Sequence, residues 1–221
     1  MQKTILTRLL FLITAFVLSA CVPIQYGDIE TDDTGQLVGL NIEDTPELYQ
    51  QRVDEVFELV LSLDESIDPI EARDLAESSV FRAMSLAKEF NLTWPPVWHN
   101  VLVNYGYRPR GLCIHFCYDL ITMLREKNYK TMQFHWGIAN EGSSYPLEHS
   151  SPVVTAIGQD FYAGVVLDAW RSSGKLTYTY VKGDKYEWHP FDESRLNVPK
   201  ASRESVPNKL KGGQQAVMTS E

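Results

Sequence analysis

The sequence predicts an α+β fold, with N-terminal helices and a central cysteine-bearing helix packed on an antiparallel β-sheet. Apolar residues recur at helical spacing from about residue 46 to residue 126. After Asn128 the apolar period changes to two, and β-branched and aromatic residues become frequent. Helical segments followed by a run of strands are typical of α+β domains.

The N-terminus has the features of a secretion signal. Lys3 and Arg8 precede an apolar stretch over residues 9–18, which is short for a membrane span. The stretch ends in Leu-Ser-Ala-Cys21, which resembles the lipobox of bacterial lipoproteins. That resemblance implies a signal peptide over residues 1–20, lipidation of Cys21 and anchoring by at least two acyl chains. Val22 in the next position resembles an outer-membrane address, so we expect a lipid-anchored protein of the bacterial cell envelope that faces the periplasm. The alternative is an ordinary signal peptide with a chance cysteine.

Charge and length limit the remaining possibilities. Without residues 1–20 the chain has 18 basic and 29 acidic residues, a net charge of −11, which argues against nucleic acid as a partner. Composition predicts a flexible tether over residues 21–44, one domain over 45–191 and a polar, disordered tail over 192–221. Cys113 and Cys117 are one helical turn apart, which is a poor geometry for a disulfide.

Local signals define the expected elements. Pro46 is expected to begin a first helix, and Asp68 with Glu71 resembles a capping box that begins a second one. A short helix is expected to end near Asn104. The expected strands are residues 131–139, 149–157, 162–170, 176–182 and 186–188, with a loop at 140–147 and a turn at 172–174.

The segment from Arg108 to Glu126 places a cysteine at the start of a helix. Gly111 permits a tight turn, and the apolar helical pattern begins at Cys113. Unpaired N–H groups and the helix dipole favour a thiolate at this position, as do Arg108 and Arg110. The pattern therefore indicates a nucleophile.

His149 and Asp168 are the expected base and its orienting acceptor. In an antiparallel hairpin, the numbers of paired residues have a constant sum. A two-residue type II′ turn at Gly158-Gln159 would make that sum 317, which sets Asp168 opposite His149. A turn at Gln159-Asp160 would make the two residues diagonal neighbours on the same face. An odd-length loop would separate them.

These motifs together resemble the transglutaminase-like superfamily, whose core is similar to that of papain-like cysteine proteases. The resemblance rests on Arg-Gly-Leu-Cys113 at a helix start, Glu-His149 at a strand start and Leu-Asp168-Ala-Trp at a strand end. It implies Cys113 as nucleophile, His149 as base and acid, and Asp168 as the residue that orients the imidazole. It leaves the oxyanion donor open, with the Cys113 N–H and a side chain from Asn104 or Trp98 as candidates. Ile114 stands where transglutaminases often have Trp, and no calcium-loop pattern, metal motif or cofactor motif is present in the sequence.

The expected activity is acyl transfer, most simply hydrolysis of an amide bond in a peptide, a protein or a cell-wall peptide of the envelope. One alternative is a non-catalytic binding or scaffold lipoprotein, in which Cys113 is a buried small residue. Another is a Cys-His-type peptidoglycan endopeptidase, which usually has Asp-Cys-Ser-Gly at the nucleophile where this chain has Gly-Leu-Cys-Ile. For Cys113 itself, His135 is the rival base. A zinc site of His99, His135 and His149 lacks the usual ligand spacing. Cys117 is expected in the core, and Arg108 and Arg110 are either solvated or grips for a substrate carboxylate.

Overall fold

A computed structural model describes residues 29–31, 37–40, 46–144 and 147–196. The helices of this part of the chain are α1 (Pro46–Leu61), α2 (Pro69–Glu89), α3 (Pro96–Asn104) and α4 (Cys113–Glu126). The strands are β1 (Ile29–Thr31), β2 (Leu37–Leu40), β3 (Met132–Ser144), β4 (Leu147–Ala156), β5 (Val165–Ser172), β6 (Lys175–Tyr180) and β7 (His189–Pro190). The predicted α+β class is confirmed. Contacts between residues divide the chain between Phe191 and Asp192.

The segments predicted at the two ends lie largely outside the described residues. The signal peptide at 1–20, Cys21 and residues 197–221 of the predicted tail are among them. Within the predicted tether, β1 and β2 form a two-stranded antiparallel pair, so this segment contains regular structure that its composition did not predict. Residues 193–195 form a single 3-10 turn capped by Asp192.

The start of α2 is fixed both by its own cap and by contacts with the segment between α4 and β3. The Asp68 carboxylate accepts a hydrogen bond from the Ile70 N–H at 2.7 Å, as expected for an N-cap. The predicted capping box is not closed by Glu71. Its carboxylate instead accepts from the N–H groups of Lys130 and Thr131 at 2.7 and 2.9 Å and from the Thr131 hydroxyl at 2.6 Å. The N–H that Glu71 would have capped, that of Asp68, donates to the Thr131 hydroxyl.

The main sheet has the strand order β6-β5-β4-β3-β7, and every neighbouring pair is antiparallel. Side chains alternate between its faces. Val154 and Val165 belong to the larger core, which also contains the buried faces of α1, α2 and α4. Val153 and Val166 belong to a second, smaller cluster with Phe161 and Trp188. His149 and Asp168 lie an even number of positions from Val153 and Val166 along their strands, so they occupy the same face of the sheet as this second cluster.

All five predicted strands differ from the observed bounds, and three of them differ most. β3 continues to Ser144, because its ladder with β4 resumes at the Ser144–Leu147 pair after an irregular stretch in which Asn140 and Gly142 have positive φ values of 55° and 70°. β5 starts at Val165, since residues 161–163 form a 3-10 turn that Asp160 caps. The strand predicted at 186–188 is displaced to β7, at His189–Pro190.

Candidate active site

His149 and Asp168 form a buried hydrogen-bonded pair. His149 Nε2 donates to Asp168 Oδ2 at 2.6 Å, and each residue is only 1% exposed. The expected register was wrong, because β4 and β5 pair Val153 with Val166 and Val154 with Val165, whose numbers sum to 319. The two-residue turn at Gly158-Gln159 is replaced by a longer connection. The two side chains are therefore diagonal neighbours, the arrangement of the alternative register.

Asp168 is held by donors on all sides. Its Oδ1 accepts from the N–H groups of Trp170 and Arg171, both at 3.0 Å. Its Oδ2 accepts from Arg171 Nε at 2.8 Å in addition to His149. Burial alone would raise the pKa of Asp168, but the charges and hydrogen bonds of His149 and Arg171 outweigh burial and lower it. The carboxylate is thus kept ionised and fixed in orientation.

The imidazole of His149 is set up to be protonated. Burial by itself would lower the pKa of His149, but the Asp168 carboxylate and the nearby Cys113 raise it to about 9. Among the described residues, Nδ1 has no hydrogen-bond partner, although it is fully buried. With Nε2 committed to Asp168, Nδ1 is the nitrogen that can exchange a proton.

Cys113 is the first residue of α4, as predicted, and is partly exposed. Its Sγ lies 3.8 Å from the backbone oxygen of Glu148, the residue that precedes His149. This contact brings the N-terminus of α4 to the start of β4. Cys113 also interacts with the His149 imidazole, whose pKa it helps to raise, and His149 bonds Asp168, so the structure brings the three residues together.

The turn before Cys113 is fixed by two histidines. His115 Nδ1 accepts from the N–H groups of Gly111 and Leu112 at 3.0 and 3.2 Å, and burial lowers the pKa of His115 to about 4, which suits a neutral acceptor. His99 packs against Gly111, where an added Cβ would lie 2.2 Å from His99 Nε2. Gly111 also has a φ of +122°. Glycine is thus required here for both conformation and space.

His99 and His135 are committed to other partners. His99 Nε2 donates to the Arg110 carbonyl at 2.9 Å, and its Nδ1 accepts from the Thr93 N–H at 3.1 Å. His135 Nε2 bonds the Thr155 hydroxyl at 3.0 Å. Within the described residues no group of three or more His, Cys, Asp or Glu side chains could hold a metal ion. The three histidines of the zinc alternative are not assembled into a site.

Other polar residues near the cysteine helix are also paired. Arg110 Nη2 donates to Asp119 Oδ1 at 2.8 Å, and its guanidinium lies over the Phe90 ring at 4.9 Å. Arg110 is therefore held by an ion pair with Asp119, while its side chain stays 35% exposed. Arg108 Nη1 reaches only the Tyr107 carbonyl, at 3.4 Å. Cys117 is buried in the helix face, as expected.

An aromatic enclosure around His149 was not predicted. The rings of Trp170, Tyr186 and Trp188 lie 4.9, 5.0 and 5.3 Å from the imidazole centroid. Arg171 connects this enclosure to Asp168, because its two terminal nitrogens donate to Asp184 at 2.8 and 2.6 Å. Asp184 Oδ2 in turn accepts from Trp188 Nε1 at 2.9 Å. The loop at 184–188 thus encloses the imidazole and is tied to the carboxylate behind it.

The oxyanion candidates lie on α3. Asn104 is exposed at the end of that helix and Trp98 is half-buried; neither makes a hydrogen bond to Cys113, His149 or Asp168 in the described structure. Asn100, one turn before Asn104, accepts from Trp170 Nε1 at 3.2 Å, and the Trp170 ring packs on His149. No signal in the sequence points to Asn100, because only the fold brings α3 against β5.

Comparisons with known proteins identify no relative. The chain matches no protein-family model, and neither a curated protein nor a solved structure is detectably similar to it.

Proposed function

We propose that this protein is a thiol enzyme with a transglutaminase-like core, in which Cys113, His149 and Asp168 catalyse acyl transfer. The observation that carries the proposal is the buried hydrogen bond between His149 Nε2 and Asp168 Oδ2, 2.6 Å long, on an imidazole whose other nitrogen is unpartnered among the described residues. A structural histidine would normally satisfy both ring nitrogens when it is buried. In His149, Nδ1 is left free to accept and donate a proton during catalysis.

The proposed chemistry follows from the roles of the three groups. His149 Nδ1 takes the thiol proton of Cys113, and the resulting imidazolium is stabilised by the Asp168 carboxylate. The thiolate attacks the carbonyl carbon of an amide, and the C–N bond breaks as His149 returns the proton to the leaving amine. Water, deprotonated by His149, then cleaves the thioester to release a carboxylic acid and the free thiol. The proposed oxyanion donor is the N–H of Cys113, the first residue of α4.

The proposed substrate is a peptide, a protein or a cell-wall peptide in the bacterial envelope. The N-terminal features support a lipid anchor at Cys21 and an outer-membrane location facing the periplasm. No helix in the described residues is long and apolar enough to cross a membrane.

Alkylation by iodoacetamide tests the proposal, with peptide mapping to read Cys113 and Cys117 separately. At pH 6 an ordinary thiol is only about 0.3% ionised, so a thiolate paired with imidazolium should react about tenfold faster or more. We expect that advantage at Cys113 and its loss in His149→Ala. Buried Cys117 is the internal control and should stay slow in both proteins. A Cys113 rate equal to that of an ordinary thiol and unchanged in His149→Ala would refute the enzymatic function.

Envelope peptides then test turnover. Release of amine from such a peptide by the wild-type protein, and its loss in Cys113→Ser, would support hydrolysis. The binding or scaffold alternative would instead be favoured by two results together. Cys113 of the wild-type protein would be alkylated rapidly, and cells with the Cys113→Ser variant would keep the wild-type phenotype.

A further inference from the structure

The sequence around α3 differs in charge from the rest of this acidic protein. Residues 90–118 contain no Asp or Glu, and Arg108 and Arg110 give them a charge of +2. The remainder of the chain has 18 basic and 29 acidic residues, a charge of −11. Acidic residues, which are spread along the rest of the described chain, are thus absent from one continuous stretch.

That stretch also exposes large apolar side chains. Trp94, Val97, Tyr105 and Tyr107 are 58, 52, 77 and 73% exposed. Of the nine residues of α3, only His99 is buried. Because His99 points inward, helical geometry directs Val97, Val101 and Tyr105 to the opposite side. We call Trp94, Val97, Val101, Tyr105 and Tyr107 the α3 surface.

We infer that the α3 surface contacts the interface of a lipid bilayer. Trp and Tyr are enriched at the level of lipid headgroups, where a ring can be apolar on one side and wet on the other. A surface without carboxylates is the part of an acidic protein that an anionic headgroup layer repels least, and Arg108 adds an attraction. Apolar and aromatic side chains on an interfacial helix supply the remaining affinity.

The helix that carries the α3 surface packs beside the candidate active site. His99 ties α3 to the Arg110 carbonyl in the turn that leads to Cys113. Two exposed apolar residues flank Cys113. Ile114, the next residue in the chain, is 37% exposed. Leu147 is 40% exposed and precedes Glu148, whose carbonyl oxygen lies next to the thiol. The bilayer contact would therefore bring Cys113 close to the membrane interface. The contact itself does not depend on thiol chemistry.

Val97 and Ile70 provide a matched pair of substitutions. Each is an exposed apolar residue in the second position of a helix, directly after a proline, Val97 in α3 and Ile70 in α2. A glutamate in the first turn of a helix is compatible with the helix dipole, so Val97→Glu and Ile70→Glu should both fold. Only Val97→Glu places a carboxylate in the α3 surface.

The experiment uses the full chain, as cells process it, reconstituted in vesicles of phosphatidylethanolamine and phosphatidylglycerol with or without brominated acyl chains. Bromine quenches tryptophan on contact. Trp136, Trp170 and Trp188 are at most 7% exposed, so quenching should report Trp94 and, more weakly, Trp98. We expect clear quenching in wild type, loss of most of it in Trp94→Phe, and a reduction of about tenfold in membrane-contact population for Val97→Glu. Ile70→Glu should behave as wild type.

Three results would overturn the inference. The first is that brominated lipid does not quench the tryptophan emission of the wild-type protein. The second is that quenching is equal in Val97→Glu and Ile70→Glu. The third is that Val97→Glu turns over peptide more slowly while its quenching by lipid is unchanged. The last would assign the α3 surface to peptide binding. Alkylation of Cys113 without vesicles should be the same in Val97→Glu as in wild type, so failure of the thiol chemistry is measured separately.

Discussion

Replacement of Asp168 by Asn should uncouple the imidazole from its charge partner without changing the shape of the side chain. Burial alone would lower the pKa of His149, and the Asp168 carboxylate is the main group that raises it to about 9. The difference between that value and the ordinary 6.5 corresponds to about 3 kcal/mol. In Asp168→Asn the carboxylate no longer raises the pKa of His149, while burial still lowers it, so His149 should be neutral at pH 7.

The stability loss should depend on pH in a defined direction. Because the pKa of His149 is raised on folding, protonation of His149 stabilises the folded state fully below pH 6.5, and this contribution is lost as the pH rises through about 9. The pKa of Asp168 is lowered on folding, so its contribution is present above its ordinary value of 3.8 and is lost at more acidic pH. The cost of Asp168→Asn should therefore be largest between about pH 4 and pH 6.5 and should shrink towards pH 9.

Urea unfolding at pH 6 and pH 9.5 measures this dependence. We expect Asp168→Asn to lose about 3 kcal/mol at pH 6, and clearly less at pH 9.5. Asp54→Asn is the control, because Asp54 forms an ion pair with Arg73 but is 51% exposed, so solvent screens the pair and its loss should barely change stability. The rapid alkylation of Cys113 at pH 6 should be lost in Asp168→Asn. The same stability loss at both pH values, or an unchanged alkylation rate, would refute the coupling.

Three further variants examine the residues that support the site. Arg171→Met removes donors to both Asp168 and Asp184 and leaves their buried carboxylates short of a partner, so we expect a loss of about 3 kcal/mol in urea unfolding. Gly111→Ala should cost about 3 kcal/mol, because its Cβ would overlap His99; Gly158→Ala, with a φ of +82° but open space around it, should cost only about 1 kcal/mol. Glu71→Gln should lower stability by about 1 kcal/mol through weaker bonds to Lys130 and Thr131, and no change on thermal unfolding would contradict that assignment.

The sequence was most informative about which face of a strand a side chain occupies. The period of two along β4 and β5, with a turn of even length between them, predicts that His149 and Asp168 share a face. That prediction survived an incorrect turn, because the observed register differs by an even number. The turn itself was unpredictable from local chemistry. Gly158 signals a tight turn, but burial of Phe161 and the cap by Asp160 extend the connection.

Contacts between distant segments could not be read from the sequence. Glu71 has the spacing of a capping box, yet its carboxylate serves the backbone at Lys130 and Thr131, some sixty positions along the chain. Arg171 and Asp184 carry no motif either. Their pairing depends on how the loop at 184–188 folds back over His149. Such assignments require the position of each backbone donor, which periodicity does not supply.

The same loop explains why the candidate site can be both buried and reactive. An imidazole enclosed by Trp170, Tyr186 and Trp188 is shielded from water, which strengthens its interaction with Asp168. Shielding without a carboxylate would favour the neutral ring and remove the proton that a leaving amine needs. Arg171 resolves this conflict on the far side, since it holds Asp168 ionised while its other nitrogens fix Asp184 and, through it, Trp188. The enclosure and the charge of the carboxylate therefore depend on one guanidinium, which makes Arg171 a positioning residue for the proposed triad.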